Sequence, residues 1–400
     1  MIKQSMISIK NKSFKGKKVI VRVDFNVPLD ESSKVSDNSR IKASLPTVKK
    51  LISDGARVIL MSHLGRPSGV EEKFSMKNII SEVEKVFNLK IKFADDILSP
   101  LTEKKVKNLK PNEILLLENL RFYKGEKQGD HFFAKRLASF ADCYVNDAFG
   151  TSHRSHASTT IIAQFFKNKK FSGFLIDKEV RSIKKVLKDG KSPVLAILGG
   201  SKVSSKISII NSLIEIADDI IIGGGMAFTF IKALGGEIGN SICEIDRLGE
   251  ALRILKTAHQ KKVSIHLPVD VICSKSLFDN QSIKTFMIKE IPKNWEGFDS
   301  GPESLKLFDK IILKSKTILW NGPVGVFEED RFSHGTISVG NSIAKSTKNG
   351  AFSLVGGGDS VSAAKKFNFQ DKVSYISTGG GAMLESLEGK ELPGIKALSN

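Results

Sequence analysis

The stretch SLVGGGDSVSAAKKF, Ser353–Phe367, holds an apolar run, three glycines, an aspartate and an amphipathic helical pattern in immediate succession. This order predicts a β-strand, a tight turn and a helix. Bare backbone amides at the start of a helix can bind an anion. Asp359 would repel the same anion unless a cation lay between the two, so the stretch indicates a ligand site only together with a cation.

The same succession recurs from one end of the chain to the other. Strand candidates are the runs KVIVRVDF, RVILMSH, EILLLEN, DCYVNDAF, VLAILGG, DIIIGGG, VSIHLPVD, TILWNGP, FSLVGGG and SYISTGGG. Several are continuous β-branched or leucine runs, which is typical of strands covered on both faces. Helical patterns such as MKNIISEVEKVF separate them. The alternation predicts an α/β fold of two doubly wound, mainly parallel-sheet (Rossmann-like) domains joined by an interdomain helix.

The domain limits follow from the length and from one charged segment. A chain of 400 residues exceeds a single ordinary hydrophobic core. The segment FSGFLIDKEVRSIKKVLKDGKSP, residues 171–193, separates a first half poor in glycine runs from a second half rich in them. We therefore predict an N-terminal domain over residues 1–172, an interdomain helix or hinge over 173–190, and a C-terminal domain over 191–386.

Composition limits the class of protein. With 40% hydrophobic residues and no run near the ~20 apolar residues that span a bilayer, we expect a cytoplasmic protein without a membrane partner. The N-terminal MIKQSMISIKNKSF has no apolar signal core. Three distant cysteines without a C-x-x-C spacing argue against a disulfide framework and a zinc site.

The formal net charge of +19 would suit nucleic acid, an anionic membrane surface or small anionic substrates. The lysines are scattered along the chain rather than gathered in one arm, and few aromatic residues lie among them. We therefore interpret most of the charge as solvated lysine-rich faces and expect no dedicated nucleic-acid partner.

In doubly wound sheets, ligands bind beyond the carboxyl ends of the strands. In the first half these positions hold polar and cationic side chains, namely Asp24, Asn26, Arg40, His63, Arg66, Arg121, His153, Arg154 and His156. Arginine forks match phosphate and carboxylate groups. A single strand-end arginine is more often part of a surface ion pair, and the HRSH pair lacks a third metal ligand nearby in the sequence. Together, these residues predict a site for a small, multiply anionic molecule.

In the second half the strand ends hold glycine, in the runs GGSKVSSK, GGGMAF, NGPVGVFE, GGGDS and TGGGA. One glycine turn can serve packing alone, but several at one sheet edge predict a surface for a phosphate chain. Lys202 and Lys206 would share a helix face there, unless they are merely solvent lysines. Asp359 could likewise be no more than a helix N-cap. Neither a P-loop nor a complete dinucleotide fingerprint is present.

Two other classes of function stay open at this point. A nicotinamide-dependent oxidoreductase is favoured by the strand-end glycines and disfavoured by the missing fingerprint. A non-catalytic protein that binds nucleic acid or another anionic surface has only the net charge in its favour.

Together these segments resemble the phosphoglycerate kinase family. The similar motifs, in the family's order, are RVDFNVPL, SHLGRP, ENLRFYKGE, VNDAFGTSHRSHAS, LGGSKVSSKI, GGGMAFTF, LWNGPVGVFE, VGGGDSV and STGGGAMLESLEGKELPG. They are distributed over nearly the whole chain. The resemblance implies a reversible transfer of the acyl phosphate of 1,3-bisphosphoglycerate to MgADP, giving 3-phosphoglycerate and MgATP.

The resemblance also implies the residues of both sites. The N-terminal domain would bind 3-phosphoglycerate through Asp24, Phe25, Asn26, Arg40, His63, Leu64, Gly65, Arg66, Arg121 and Arg154. The C-terminal domain would bind ADP or ATP through Lys206, Gly223, Gly224, Gly225, Glu328, Gly357, Gly358, Asp359 and Ser360, with Asp359 also holding Mg²⁺. The catalytic residues would be Arg40, Lys202, Gly358 and Gly381, of which Arg40 and Lys202 match residues that stabilise the phosphoryl group in flight.

The implied reaction needs alignment and positive charge rather than a nucleophilic side chain. Since its two ligands would bind to separate domains, we expect closure about a hinge near residues 171–193. The resemblance also implies that residues ~387–400 pack back on the N-terminal domain. No intermolecular interface is evident from the sequence, so a monomer is expected.

The chain departs from the family's pattern at two serines. Ser205 stands where many members have aspartate, and Ser300 stands where they have isoleucine. We expect the first to alter a helix-face contact near the nucleotide and the second to loosen packing on the adenosine side. Neither serine is among the residues implied in phosphoryl transfer, so we expect an effect on affinity before one on activity.

Overall fold

The protein is represented by a computed structural model that describes residues 6–279 and 281–399. Residues 1–5, which begin the stretch MIKQSMISIKNKSF, lie outside the described residues. Residue 400, the last of the segment 387–400, also lies outside them. The chain divides into two compact units. The first contains the chain up to Arg181 and the segment from Glu391 onward, and the second runs from Ser182 to Lys390.

The first unit is built on a sheet of six parallel strands in the order β3-β4-β2-β1-β5-β6. The strands are β1 (Lys18–Val23), β2 (Arg57–Met61), β3 (Ile91–Ala94), β4 (Ile114–Leu117), β5 (Cys143–Asp147) and β6 (Lys170–Ser172). The helices are α1 (Ser39–Ser53), α2 (Ile80–Phe87), α3 (Pro100–Lys107), α4 (Lys124–Gln128), α5 (His131–Ala138) and α6 (Phe174–Leu187). The unit boundary falls within α6.

The second unit is built on a sheet of six parallel strands in the order β10-β8-β7-β15-β16-β17. All strands of the unit are β7 (Val194–Leu198), β8 (Asp219–Ile222), β9 (Glu237–Ile238), β10 (Ser264–His266), β11 (Asp270–Ser274), β12 (Ile283–Met287), β13 (Glu290–Ile291), β14 (Glu296–Ser300), β15 (Thr317–Asn321), β16 (Phe352–Val355) and β17 (Tyr375–Ile376). The helices are α7 (Ile207–Ile214), α8 (Met226–Ala233), α9 (Leu248–Gln260), α10 (Pro302–Lys314), α11 (His334–Lys348), α12 (Gly358–Lys366) and α13 (Gly381–Leu387).

The final segment contains α14 (Pro393–Lys396) and groups with the first unit. Within that unit the Gly394 N–H donates to the Ser152 carbonyl at 2.8 Å. A Cβ at Gly394 would lie 3.0 Å from the Cα of Ser152, so only a residue without a side chain allows this approach. None of the helices among the described residues is long and apolar enough to span a bilayer.

The predicted fold class is confirmed, since both units are α/β with a parallel sheet. The central strands carry the continuous apolar runs from which they were predicted, and β7, β8 and β15 are buried throughout. Strands β3 and β6 were missed. Both form edges of the first sheet, where one side of a strand is not covered by a neighbour, so a short segment can serve without a long apolar run.

A smaller antiparallel sheet was also missed. Strands β12 and β14 both pair antiparallel with β11, and β13 pairs with β9 in a separate two-stranded ribbon. Strand β12 is largely exposed and β14 has the sequence EGFDS, so neither shows the β-branched run of a covered strand. Strands β11 to β14 lie between β10 and α10 in the chain, and β11 and β14 add a wall to the cavity described below.

The expectation that Lys202 and Lys206 share a helix face is wrong. Helix α7 begins only at Ile207, with Lys206 at its N-cap position, and Lys202 precedes the helix. The serines between the two lysines hold a turn: the Ser205 hydroxyl donates to the Lys202 carbonyl at 2.9 Å, and the Ser204 hydroxyl donates to Glu244 at 2.6 Å. Serine side chains compete in this way with helical backbone bonds, which delays the start of the helix.

Asp147, at the end of β5, offers a test of stability against pH. Its Oδ1 accepts the Leu175 N–H of α6 at 2.9 Å, and its buried Oδ2 has no partner among the described residues. Burial raises the pKa of this carboxyl to about 7. The native state therefore holds a proton that the unfolded chain releases near pH 4, and the contribution of Asp147 to stability falls as the pH rises from about 4 to 7.

We expect Asp147→Asn to remove this dependence, because an amide keeps the acceptor oxygen and cannot ionise. Urea unfolding of both proteins at pH 5.5 and pH 7.5 measures it. The free energy of unfolding of the variant relative to the wild type should rise by up to about 1.4 kcal/mol per pH unit between these values. An equal difference at both pH values would show that Asp147 is not protonated in the native state.

Candidate active site

Asp24 and Arg40 form the fixed centre of the predicted site in the first unit. Asp24 follows β1, and Arg40 lies in the first turn of α1. Arg40 Nη1 is 3.2 Å from Asp24 Oδ2 and donates to the Asn26 carbonyl at 3.0 Å. The Asp24 side chain is 7% exposed and that of Arg40 35%. The buried carboxylate thus anchors a guanidinium that still presents donors to solvent.

A loop after β2 links three strand ends through Gly65. The Gly65 N–H donates to Asn26 Oδ1 at 2.8 Å, and Arg121 Nη1 donates to the Gly65 carbonyl at 2.7 Å. Gly65 has φ +64°, and a Cβ there would lie 2.4 Å from the Phe74 ring. Glycine is therefore required, and the loop ties the ends of β1, β2 and β4 into one surface.

The remaining predicted residues of this unit fall into two groups. Arg66 and Arg154 are exposed, whereas His63 is only 3% exposed. The side chains of Phe25 and Leu64 belong to the hydrophobic core, where Phe25 packs edge-on against Phe87. Only their backbone groups are available to a ligand.

Electrostatics show that the cationic residues do converge. Burial, followed by the charges of Arg22, Arg121 and Arg40, holds the pKa of His63 well below its usual value. Burial, followed by the charges of Arg121, Arg22 and Arg154, lowers the pKa of His156 to about 4. Arg121 and the exposed Arg66 and Arg154 form no ion pair among the described residues, and such positive charge suits a multiply anionic ligand.

A buried polar cluster that was not predicted from the sequence lies behind this surface. It consists of Arg22, Ser158 and Glu126, each with 0% exposure. One signal was present: Arg22 places a charge inside the apolar run KVIVRV of β1, which lies between β2 and β5. A charge at a covered strand position must be paired or hydrogen-bonded.

In the second unit the glycine loops after the strands pack backbone against backbone. A Cβ at Gly322, φ +113°, would lie 2.2 Å from the Gly199 carbonyl oxygen, and one at Gly224, φ +66°, would lie 2.9 Å from the Gly200 nitrogen. Side chains at these positions would separate the ends of β7, β8 and β15. The glycines therefore bring amide groups from three loops to one edge of the sheet.

Lys206 is held at this edge by Asn321. The Lys206 ammonium donates to Asn321 Oδ1, and the buried Asn321 amide donates to the Gly356 carbonyl at 2.6 Å. Burial lowers the pKa of Lys206, and the charge of Asp359 opposes this effect. Gly357 caps α12 with φ +94°, and the exposed Asp359 lies in the first turn of that helix. The buried Ser360 hydroxyl accepts the Gly322 N–H.

A cavity of about 370 Å³ opens beside these loops. Its lining residues are Gly200, Ser201, Gly224, Gly225, Ala227, Phe228, Ile242, Pro268, Val271, Ile288, Glu296, Gly297, Phe298, Asp299, Ser300, Pro323, Val324, Gly325, Val326, Glu328 and Asp359. A lining that combines apolar side chains, glycine amides and the acidic residues Glu296, Asp299, Glu328 and Asp359 suits a flat aromatic group attached to a polar one.

The cavity contains only part of the nucleotide-binding and catalytic residues predicted for the second unit. Gly224, Gly225, Glu328 and Asp359 line it, whereas Lys202, Lys206, Gly223, Gly357, Gly358, Ser360 and Gly381 do not. Lys202 and Gly381 are exposed, and Gly381 begins α13. The wall formed by β14 and by Val271 of β11 was missed, because it belongs to the small antiparallel sheet.

Across residues 6–279 and 281–399, no group of three or more His, Cys, Asp or Glu side chains could hold a metal ion alone. Asp359 offers one exposed carboxylate at a helix start rich in glycine. That donor set fits Mg²⁺, which commonly binds through one or two carboxylates together with substrate phosphates.

The two serines that depart from the expected pattern both have hydrogen bonds. Ser205 lies in the turn before α7 rather than on a helix face. Ser300 lines the cavity, is 2% exposed and donates its hydroxyl to the Val324 carbonyl at 3.2 Å. The Ser300 hydroxyl thus has a polar partner where it is buried in the wall of the cavity.

Comparison with known proteins shows the family of the chain. A family model described as phosphoglycerate kinase matches residues 9–390. The chain belongs to the phosphoglycerate kinase family. A phosphoglycerate kinase of Porphyromonas gingivalis is 49% identical, with 98% of this chain and 100% of that protein covered. A cytosolic phosphoglycerate kinase of Nicotiana tabacum is 46% identical, with 100% and 99% covered.

The fold agrees with solved members of the phosphoglycerate kinase family. The structure of the enzyme from Coxiella burnetii superposes with a TM-score of 0.90 at 40% identity, covering 98% of this chain and 99% of that one. The enzyme from Pyrococcus horikoshii superposes with a TM-score of 0.84 at 30% identity. The predicted family is therefore confirmed. Its members are kinases whose reaction is the reversible phosphoryl transfer of glycolysis between 1,3-bisphosphoglycerate and ADP.

Proposed function

We propose that the chain carries out this transfer with the two sets of residues described above. The first unit would hold 3-phosphoglycerate or 1,3-bisphosphoglycerate at the Arg40, His63 and Arg121 surface. The second would hold ADP or ATP at the glycine loops and the cavity beside Asp359. The observation that carries the proposal is the pairing of a cation-rich surface in one unit with an amide-lined cavity in the other.

The substrate side would act through charge and position. Arg40, fixed by Asp24, and Arg121, fixed by the Gly65 carbonyl, present guanidinium donors that match carboxylate and phosphate oxygens. The exposed Arg66 and Arg154 can move to meet a ligand. We assign Asn26 and Gly65 to shaping the loop, and Phe25 and Leu64 to packing beneath it.

The nucleotide side would act through amides and two lysines. The base and ribose would lie in the apolar cavity with Glu328 at its rim, and the phosphates would reach Gly223–Gly225, Gly357, Ser360 and Lys206. Mg²⁺ would be held by Asp359 and would neutralise phosphate charge. Gly358 and Gly381, both exposed at helix starts, offer backbone amides to the transferring group.

The transfer itself needs no protein nucleophile. An oxygen of the ADP β-phosphate attacks the acyl phosphorus, the bond from phosphorus to the carboxylate oxygen breaks, and 3-phosphoglycerate leaves as a carboxylate. Arg40 and Lys202 stabilise the negative charge on the moving phosphoryl group. Arg40 is already held by Asp24, so it requires little reorganisation during the reaction, which lowers the barrier.

A coupled assay with ATP, Mg²⁺ and 3-phosphoglycerate tests the function directly. We expect turnover that depends on all three, and we expect 3-phosphoglycerate to bind when the nucleotide is absent. Folded protein that binds neither ligand and instead binds RNA in a salt-dependent way would contradict the proposal.

Asp359→Asn is expected to affect only the nucleotide half. Losing the carboxylate should lower kcat/KM for MgATP by at least about 100-fold, while KM for 3-phosphoglycerate stays within about twofold. Steady-state kinetics with each substrate varied in turn measures both values. Asp371→Asn, at another exposed carboxylate of the same unit, is the control. Equal losses for both substrates would indicate a folding defect instead of a metal ligand.

Because the two ligand sets belong to different units of the chain, we propose closure about a hinge near residues 171–193, which would also exclude water. Small-angle scattering with no ligand, with each ligand and with both should show a smaller radius of gyration only in the ternary sample. Identical radii in all samples would contradict closure. We further propose that the protein acts as a monomer and that it is located in the cytoplasm. Two relatives are named cytosolic, which supports the proposed location.

A further inference from the structure

We propose that Arg22 is a positioning residue that fixes His63 in its uncharged Nε2–H tautomer, so that the ring donates one hydrogen bond to an anionic substrate oxygen. This inference rests on the proposed function, since His63 belongs to the surface that we assign to 3-phosphoglycerate. It adds a residue that does not touch substrate and acts only through the histidine.

The tautomer follows from one contact. Arg22 Nη2 lies 3.1 Å from His63 Nδ1. A guanidinium has five N–H donors and no acceptor, so Nδ1 must accept and cannot carry a proton. The single proton of the neutral ring is then on Nε2. Protonation of Nδ1 would place two donors against each other at hydrogen-bond distance.

Arg22 cannot easily turn away from this contact. It is 0% exposed on β1, between β2 and β5. Its Nε donates to the Ser158 hydroxyl at 2.9 Å, and its Nη1 donates to the Val23 carbonyl. The three bonds use three different nitrogens of one planar group, so they define its orientation.

Glu126 completes the support from the opposite side. The Ser158 hydroxyl donates to Glu126 Oε1 at 2.7 Å, and the Ser158 N–H donates to Oε2 at 3.0 Å. Ser158 thus accepts from Arg22 and donates to Glu126, a carboxyl group whose pKa is raised by burial, an effect that the charge of Arg22 opposes. A fully satisfied buried network of this kind holds its members in one geometry.

The other nitrogen of His63 remains available to a ligand. His63 Nε2 has no hydrogen-bond partner among the described residues. It is not one of the buried polar atoms without a partner, so it is accessible to solvent. The titratable and charged groups that act on the ring come from four places in the unit: Arg22 on β1, Arg40 on α1, Arg121 after β4 and His156 after β5. All of them disfavour the imidazolium.

For substrate binding, the consequence is that His63 offers an uncharged hydrogen-bond donor, its Nε2–H. The surrounding arginines already supply positive charge, and another cation among them would be repelled. A neutral Nε2–H instead contributes direction, because a hydrogen bond to an anion requires a defined donor geometry. With the opposite tautomer, Nε2 would present a lone pair to the anion and repel it.

The first test is the protonation state of the ring in the full-length wild-type protein. Long-range ¹H–¹⁵N spectra of ¹⁵N-histidine-labelled protein separate the two nitrogens, and His63→Gln identifies the signal. We expect an unprotonated Nδ1 and a protonated Nε2, unchanged from pH 6 to 8.5. A protonated Nδ1, or a ring that titrates in this range, would overturn the proposal whatever any variant does.

The second test removes the donor. Arg22→Met should let His63 exchange between tautomers and titrate, and should raise KM for 3-phosphoglycerate roughly 10- to 100-fold while KM for MgATP changes less than about twofold. Arg22→Lys keeps a donor on a flexible stem, so it should restore most of the Nε2–H signal and of the affinity. Arg57→Met, at the start of β2 in the same sheet, is the control and should change neither value.

The outcomes separate the two proposals. A folded Arg22→Met protein with the wild-type ring spectrum and wild-type KM would refute the positioning role. If circular dichroism shows that Arg22→Met does not fold, the wild-type spectrum and Arg22→Lys decide. Failure of the wild-type protein to bind 3-phosphoglycerate in calorimetry would refute the proposed function instead, and the tautomer would still be measured.

Discussion

Replacing Arg40 by alanine is expected to lower kcat about 1,000-fold in the coupled assay, which corresponds to about 4 kcal/mol of lost transition-state stabilisation. Arg40 is the cation of the first unit that we assign to the moving phosphoryl group, and Asp24 holds it by an ion pair at 3.2 Å. A guanidinium that is oriented before the reaction stabilises charge on the phosphoryl oxygens without reorganising in the transition state.

Two further variants make this result specific. Arg40→Lys keeps the charge but loses the fork and should recover only a small part of kcat. Arg136→Ala removes an ion-paired arginine of α5 in the same unit, where Glu103 is its partner, and should leave kcat within about twofold. A kcat close to wild type for folded Arg40→Ala, with only a higher KM, would restrict Arg40 to ground-state binding.

Replacing Lys202 by alanine is expected to lower kcat by a similar factor, about 1,000-fold, with little change in the free energy of unfolding. Its side chain is exposed and makes no hydrogen bond or ion pair with the residues that the structure describes. Its charge acts on the fold only as the smallest of several causes that lower the pKa of Glu244, so its removal should cost little stability. Any loss of rate therefore reports on a contact made with the reacting group.

The matched control is Lys256→Ala, at another exposed lysine of the same unit, on α9. It should change neither kcat nor the free energy of unfolding measurably. Lys206→Ala serves as a contrast, because Lys206 is held by Asn321 and should affect nucleotide affinity as well as rate. Unchanged kcat in Lys202→Ala would exclude this residue from the transfer and leave the charge stabilisation to Arg40 and Mg²⁺.

The parallel sheets could be predicted because their signal is local. The runs VLAIL and TILWN are buried at every position in β7 and β15, and a strand covered on both faces must be apolar throughout. The glycine loops were predictable for the same reason, since a turn that admits no side chain requires glycine at that position in any context.

Local patterns misled where side chains compete with the backbone. Lys202 and Lys206 have helical spacing, yet two serine hydroxyls hold the preceding residues in a turn and α7 starts after them. Their different environments, one exposed and one half-buried against Asn321, could not be read from spacing. A partner more than a hundred positions away determines whether a lysine is free or held.

The sequence by itself determined the α/β class, the sheet-forming runs, the glycine-lined edge of one unit and the cationic residues of the other, because each depends on residue type within a few positions. Only the tertiary structure decided that the antiparallel sheet walls the cavity, that Phe25 and Leu64 point into the core, and that Arg22 sets His63. Ser158 lies 136 positions from Arg22 in the chain. Such a contact depends on which strands become neighbours, and that order follows from the packing of the whole sheet.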